Sequence, residues 1–145
     1  MKTLAAALAA FIVMAAPPPA AAGCKDLKVE DARIPQAPPA ATVLAGYARL
    51  SNGGDRLLHI DGVEGADFGS IELHQMRMQN GMMEMRPLHG LDVPAHGSVT
   101  LSEGDKHLML IDPKRALRPG DTTTLSFRCG NQALPAQFTV RAAPQ

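Results

Sequence analysis

The sequence predicts an all-β fold, a single sandwich or barrel domain, on three observations. Its apolar residues fall in short runs broken by Gly, Pro, Asn and Asp at intervals of about 8–12 residues. The breaks carry turn chemistry, and nothing beyond the N-terminal stretch reads as a long amphipathic helix. In chain order the first expected strand is LKVEDARI (27–34), followed by the stiff extended connector IPQAPPA (34–40). VLAGYARLS (43–51) stops at Asn52-Gly53-Gly54, and RLLHIDGVE (56–64) and SIELHQMRM (70–78) come next. MMEMRPL (82–88) follows the Asn80-Gly81 pair, and SVTL (98–101) follows the turn from Pro94 to Gly97. KHLMLID (106–112) is set off by Glu103-Gly104-Asp105 and by Arg118-Pro119-Gly120-Asp121; TTTLSFRC (122–129) and AQFTVRA (136–142) complete the set. There is no internal repeat and no sign of a second domain.

Residues 1–22, MKTLAAALAAFIVMAAPPPAAA, are expected to be a cleaved secretory signal peptide. Lys2 precedes an apolar run from Leu4 to Ala16 that is short for a membrane span, and small residues end the stretch. Pro17, Pro18 and Pro19 argue against a buried helix there. The remaining domain, 23–145, suits one full core. Losing Lys2 leaves thirteen Lys+Arg against fourteen Asp+Glu, a net charge of −1. No basic field is available to hold nucleic acid or an anionic membrane, so neither is an expected partner, and the mature chain is expected to be a monomer without a membrane span. The aromatic residues of the domain are Tyr47, Phe68, Phe127 and Phe138, so Leu, Val, Ile and Ala must supply most of the core, with Tyr47 expected in it.

Two cysteines remain, Cys24 and Cys129. An exported chain meets an oxidising compartment, and a disulfide between them is the first expectation. The competing reading is lipidation of Cys24. Ala21-Ala22-Gly23-Cys24 is a poor lipoprotein signal, because Ala21 sits where leucine is usual.

Five of the eight methionines lie in IELHQMRMQNGMMEMRP (71–87), around one Asn-Gly pair. With Asn80-Gly81 as the centre of a type I′ turn, Gln79 pairs with Met82, Met78 with Met83, Arg77 with Glu84 and Met76 with Met85. Arg77 and Glu84 then fall opposite each other with opposite charges. Side chains alternate along a strand, so Glu72, His74, Met76, Met78, Met83 and Met85 share one face while Ile71 and Leu73 point the other way. His74 and Met85 are diagonal neighbours. A lone methionine is core filler; a face of thioethers that also carries a histidine suits a soft metal. In KHLMLID, His107 and Met109 likewise share a face, opposite Leu108 and Leu110. Thioether sulfur matches Mg²⁺, Ca²⁺ and Zn²⁺ poorly and Cu(I) well, and imidazole tolerates that ion. Thiolates would oxidise outside the cytosol. Histidine ligands must be neutral, so binding should weaken below about pH 6. Neutral ligands without thiolate hold the ion yet surrender it to a thiolate-rich acceptor, which suits a carrier.

At these residues the sequence resembles the periplasmic copper chaperones called PCuAC, whose fingerprint is His-x10-Met-x21-His-x-Met. His74, Met85, His107 and Met109 reproduce every gap. The surroundings agree: ELH, MRP, a Pro-x-x-Gly turn (94–97) and HLML, with APPA (37–40), LAGYARLSNGGDRL (44–57) and ADFG (66–69) upstream. The resemblance covers most of residues 27–142. It implies a cupredoxin-like β-sandwich of Greek-key type in the periplasm that binds one Cu(I) through His74, Met85, His107 and Met109. It also implies delivery of copper to respiratory oxidases, at the CuA-type centre of a cytochrome c oxidase subunit, alongside Sco-type proteins. Binding of Cu(II) at a second site is left open. One departure stands out: where the family often carries a tryptophan, in a run like AWIRxxPP, this chain has ARIPQAPP with Arg33 and Pro35. Met76 and Met83 are candidate auxiliary metal contacts; Met78 and Met82 also exceed what four-coordination needs.

His59 is expected to be a surface or satisfied histidine, and His89 and His96 solvated loop residues. Asp61, Glu64 and Asp67 form a loose acidic cluster. No Ser-His-Asp order, phosphate-cradling glycine loop or paired carboxylates point to an enzyme. The alternatives to delivery are periplasmic copper buffering, which would use the same site, and electron transfer. A blue-copper centre needs a cysteine thiolate with two histidines, and no histidine follows Cys129.

Overall fold

A computed structural model describes residues 23–143; the expected signal peptide, 1–22, lies outside the described residues. Eleven strands follow a short 3-10 turn at Cys24–Asp26: β1 (Leu27–Pro35), β2 (Val43–Asn52), β3 (Leu58–Ile60), β4 (Gly62–Glu64), β5 (Phe68–Gln79), β6 (Met82–Leu88), β7 (Leu91–Val93), β8 (Ser98–Leu101), β9 (Lys106–Pro113), β10 (Thr122–Cys129) and β11 (Gln132–Arg141). The all-β expectation holds.

Nine strands form one sheet in the order β4-β10-β11-β1-β2-β9-β5-β6, with β8 beside β2, while β3 and β7 pair separately. Only β1 and β11 run parallel; the other pairs are antiparallel. Strand β2 joins the two wings: one edge pairs with β1, and the other pairs with β9 over Val43–Gly46 and with β8 over Ala48–Ser51. Both wings feed one apolar cluster. Ile34, Leu50, Leu125, Phe127, Phe138 and Val140 share that cluster with Leu73, Leu108 and Leu110, so the two wings of the open sheet pack together as a sandwich. Gly46 sits where β2 and β9 come together; a Cβ there would lie 3.2 Å from that of Leu108.

Several elements differ from expectation for identifiable reasons. The stretch 56–64 is two strands, because β3 pairs with β7 whereas β4 pairs with β10, and Asp61 makes the transfer with its amide bonded to the Arg128 carbonyl. Strand β7 has three residues, too few to show alternation in sequence. Strand β11 begins at Gln132 instead of 136 and passes through Pro135, which is tolerated because β1 joins β11 only from Thr139 onward. In β1 the register shifts between Glu30 and Arg33, and Asp31 takes a positive φ of 50° at the bulge. Its carboxylate takes both Arg33 and Arg141. Tyr47 is not a core residue: it points outward, half-buried, beneath the Arg33 guanidinium at 5.4 Å from the ring centre. Burial, then the nearby Glu103 charge, pushes its phenol pKa up.

Cys24 and Cys129 are joined by a disulfide, so the Cys24 sulfur is not available to a lipid. A link spanning 105 residues restricts the unfolded chain strongly. Replacing both cysteines by serine should lower stability by about 2–5 kcal/mol, read from the denaturant midpoint.

At the approach to β5, the Asp67 carboxylate accepts from Arg115 at 2.9 Å and from the Thr123 hydroxyl at 2.7 Å. The Arg115 bond, then that of Thr123, holds its pKa below the usual carboxylate value. A depressed folded pKa stabilises above the unfolded value of about 3.9, and the contribution fades as pH falls through the lower folded one. Asp67→Asn should therefore cost about 1 kcal/mol near neutrality, and its deficit should vanish in acid unfolding curves below that range.

Candidate metal centre

Three neighbouring strands, β9, β5 and β6, build the face that carries the histidines and methionines. Leu73, Leu108 and Leu110 are buried in the core, and alternation sends His74, His107 and Met109 to the opposite side. The β5–β6 hairpin has Asn80 and Gly81 at φ of 51° and 78°, the type I′ signature, and pairs Met78 with Met83, Arg77 with Glu84 and Met76 with Met85. Arg77 and Glu84 stand opposite each other as expected, and the Glu84 carboxylate also takes the Arg86 guanidinium on its own strand at 2.9 Å.

His74 and His107 face each other on one rung of the β5–β9 ladder, with ring centres 6.2 Å apart and planes tilted by 36°. Both rings are sheltered: the His74 side chain is 12% exposed and His107 7%. The two sulfur candidates flank this rung from opposite ends. Met85 stands opposite Met76, towards the hairpin tip, and Met109 stands opposite Glu72, away from it. The four side chains thus do not share a rung, and Met109 is half-buried while Met85 is 48% exposed. Met76 is half-buried, while Met78, Met82 and Met83 are exposed at the tip.

The hydrogen bonds assign each ring a different free nitrogen. His107 donates from Nδ1–H to the Asp105 carbonyl at 3.0 Å, which leaves the Nε2 lone pair. His74 Nε2 lies 2.8 Å from the Glu72 carboxylate, an acceptor, so the hydrogen sits on Nε2 and the lone pair on Nδ1. That Nδ1 is buried without a hydrogen-bond partner, the sole such side-chain nitrogen or oxygen among the described residues. A buried lone pair without a partner carries a desolvation cost that a bound cation would remove. Neutral nitrogen and thioether sulfur are soft-metal chemistry, and among the described residues no group of three or more His, Cys, Asp and Glu offers a harder site.

His59 and His96 are each paired with a carboxylate elsewhere in the fold: His59 bonds to Asp92 at 2.5 Å on the β3–β7 pair, and His96 bonds to Asp55 at 2.7 Å. His89 is exposed after β6. Two residues of the centre carried no assignment from sequence: Glu72, whose sole signal is its Glu-x-His spacing on a strand, and Asp105, which acts through its backbone.

The LpqE-like family profile matches residues 27–141. The chain belongs to this family, which is of PCuAC type. Among solved structures, it is similar to the copper(I) form of DR1885 from Deinococcus radiodurans, with 28% identity, a TM-score of 0.64 and coverage of 81% of this chain and 80% of that one. The copper-free form of DR1885 gives 27% identity and a TM-score of 0.63 over 97% of each chain. The apo PCuAC domain of PmoF1, at 20% identity, has the same fold, with a TM-score of 0.69 over 81% of this chain and 95% of that one. No curated protein sequence matches the chain. The cupredoxin-like sandwich expected from the four-residue fingerprint is the fold that this LpqE-like chain has.

Proposed function

We propose that this protein is a periplasmic copper chaperone that binds one Cu(I) between His74 and His107, with Met85 and Met109 closing on the ion. The observation that carries the reading is the sheltered histidine rung with its unpartnered His74 Nδ1, flanked by thioethers at both ends. The similarity to a copper(I) form of DR1885 and to a copper-bound PCuAC domain of PmoF2 supports the choice of metal. Copper is cargo here, and the ligand set suits cargo: uncharged donors hold a monovalent ion without the grip of thiolates. Exposed Met83 and half-buried Met76 serve as auxiliary contacts on the ion's way in and out through the hairpin. The acceptor is a thiolate-bearing copper centre, of the CuA type in an oxidase subunit, with a Sco-type protein as a further partner. The LpqE-like family is described as lipoproteins, but the Cys24 sulfur is engaged with Cys129, so export as an unanchored domain 23–145 after loss of residues 1–22 is the form we propose.

A blue-copper electron-transfer role lacks its thiolate, because both cysteines of the chain are in the disulfide. The exposed methionines at the hairpin tip favour buffering as the second reading. Stoichiometry separates the two: one tight equivalent of Cu(I) fits delivery, and several fit storage.

Titration of Cu(I) against a competing chelator tests the site. His107→Ala and Met85→Ala should each weaken binding by about tenfold or more, on the order of 1.4 kcal/mol, with Met76→Leu and Met83→Leu costing less. Undiminished affinity in both alanine variants refutes the ligand assignment.

A further inference from the structure

We infer that Glu72 is a positioning residue of the metal centre, which locks His74 in the Nε2–H tautomer and so makes Nδ1 its metal-binding atom. This rests on the copper-site reading above and deepens it. Glu72 lies two residues before His74 on β5, and strand alternation puts both side chains on the same face. Its carboxylate meets His74 Nε2 at 2.8 Å while the other ring nitrogen is buried and unpartnered. A carboxylate only accepts hydrogen bonds, so the contact fixes the ring's orientation and its hydrogen together.

The facing histidine is fixed in the opposite sense, with the Asp105 backbone carbonyl holding its Nδ1–H. The centre is therefore asymmetric: Nδ1 from β5 meets Nε2 from β9. The backbone anchor cannot be deleted by a side-chain substitution, whereas the Glu72 anchor can. Glu72 is also the register partner of Met109 across the ladder, so its negative charge stands on the same face as the proposed ligands, where it would offset the charge of a monovalent cation held by neutral atoms.

The test uses the metal-free full domain first, at a pH where free imidazole is neutral. Ring ¹⁵N shifts of wild type should report His74 as the Nε2–H form. Glu72→Ala should give a mixture of tautomers, and Glu72→Gln, which keeps an acceptor oxygen, should restore the wild-type pattern. Cu(I) competition should then show about a tenfold or greater loss for Glu72→Ala, the range typical of lost support behind a metal ligand, with partial recovery in Glu72→Gln. Unfolding midpoints of both variants check that the sheet is intact. An unchanged tautomer in Glu72→Ala overturns the inference even if His107→Ala and Met85→Ala abolish binding. A shifted tautomer with unchanged affinity overturns it too. A wild type that binds no Cu(I) sinks the copper reading instead, while the metal-free spectra still judge the positioning of His74.

Discussion

The centre depends on the antiparallel register of β5 against β9. Once Leu73 and Leu108 are opposed and buried, the next residue on one strand and the preceding residue on the other are opposed and face outward. Those residues are His74 and His107. A slip of one position would bury imidazoles and expose leucines, so the hydrophobic core specifies the histidine face by exclusion. Pairing with β2 on the far edge of β9 reinforces this, since Ala45 and Gly46 hold that strand at close range.

The chemistry follows from what the core leaves outside. Two sheltered rings offer lone pairs from different nitrogens, and sulfur stands at either end of the rung. No anionic ligand cluster accompanies them among the described residues, which disfavours hard ions. The disulfide removes the chain's thiols from competition and closes the fold through the other wing, at the end of β10.

Much of this was legible in the sequence because its signals were local. Asn80-Gly81 fixed the hairpin register residue by residue, and the spacing of His74, Met85, His107 and Met109 marked the face. What was not legible depended on partners distant in the chain. The division of 56–64 follows from β7 and β10 claiming different halves, and Pro135 is allowed by the late arrival of β1. Tyr47 looked like core because it is aromatic and on a strand, yet its alternation with buried Ala48 and Leu50 turns it outward. The ion pair of Glu84 with Arg86 went unread, although residues two apart on one strand share a face. The facing of His74 by His107, and the distinct anchors of the two rings, required the non-local β5–β9 pairing.

The position of β6 on the sheet border has a mechanical consequence. Strand β9 is clamped between β2 and β5, whereas β6 has a neighbour on one side and contributes no fully buried residue. Opening energy scales with buried apolar contact, so this border strand can bend away at small expense while the β9 wall stays put. In the proposed site the ion would lie between a fixed jaw bearing His107 and Met109 and a yielding jaw bearing Met85, so that release would proceed one sulfur at a time without disturbing the domain's interior.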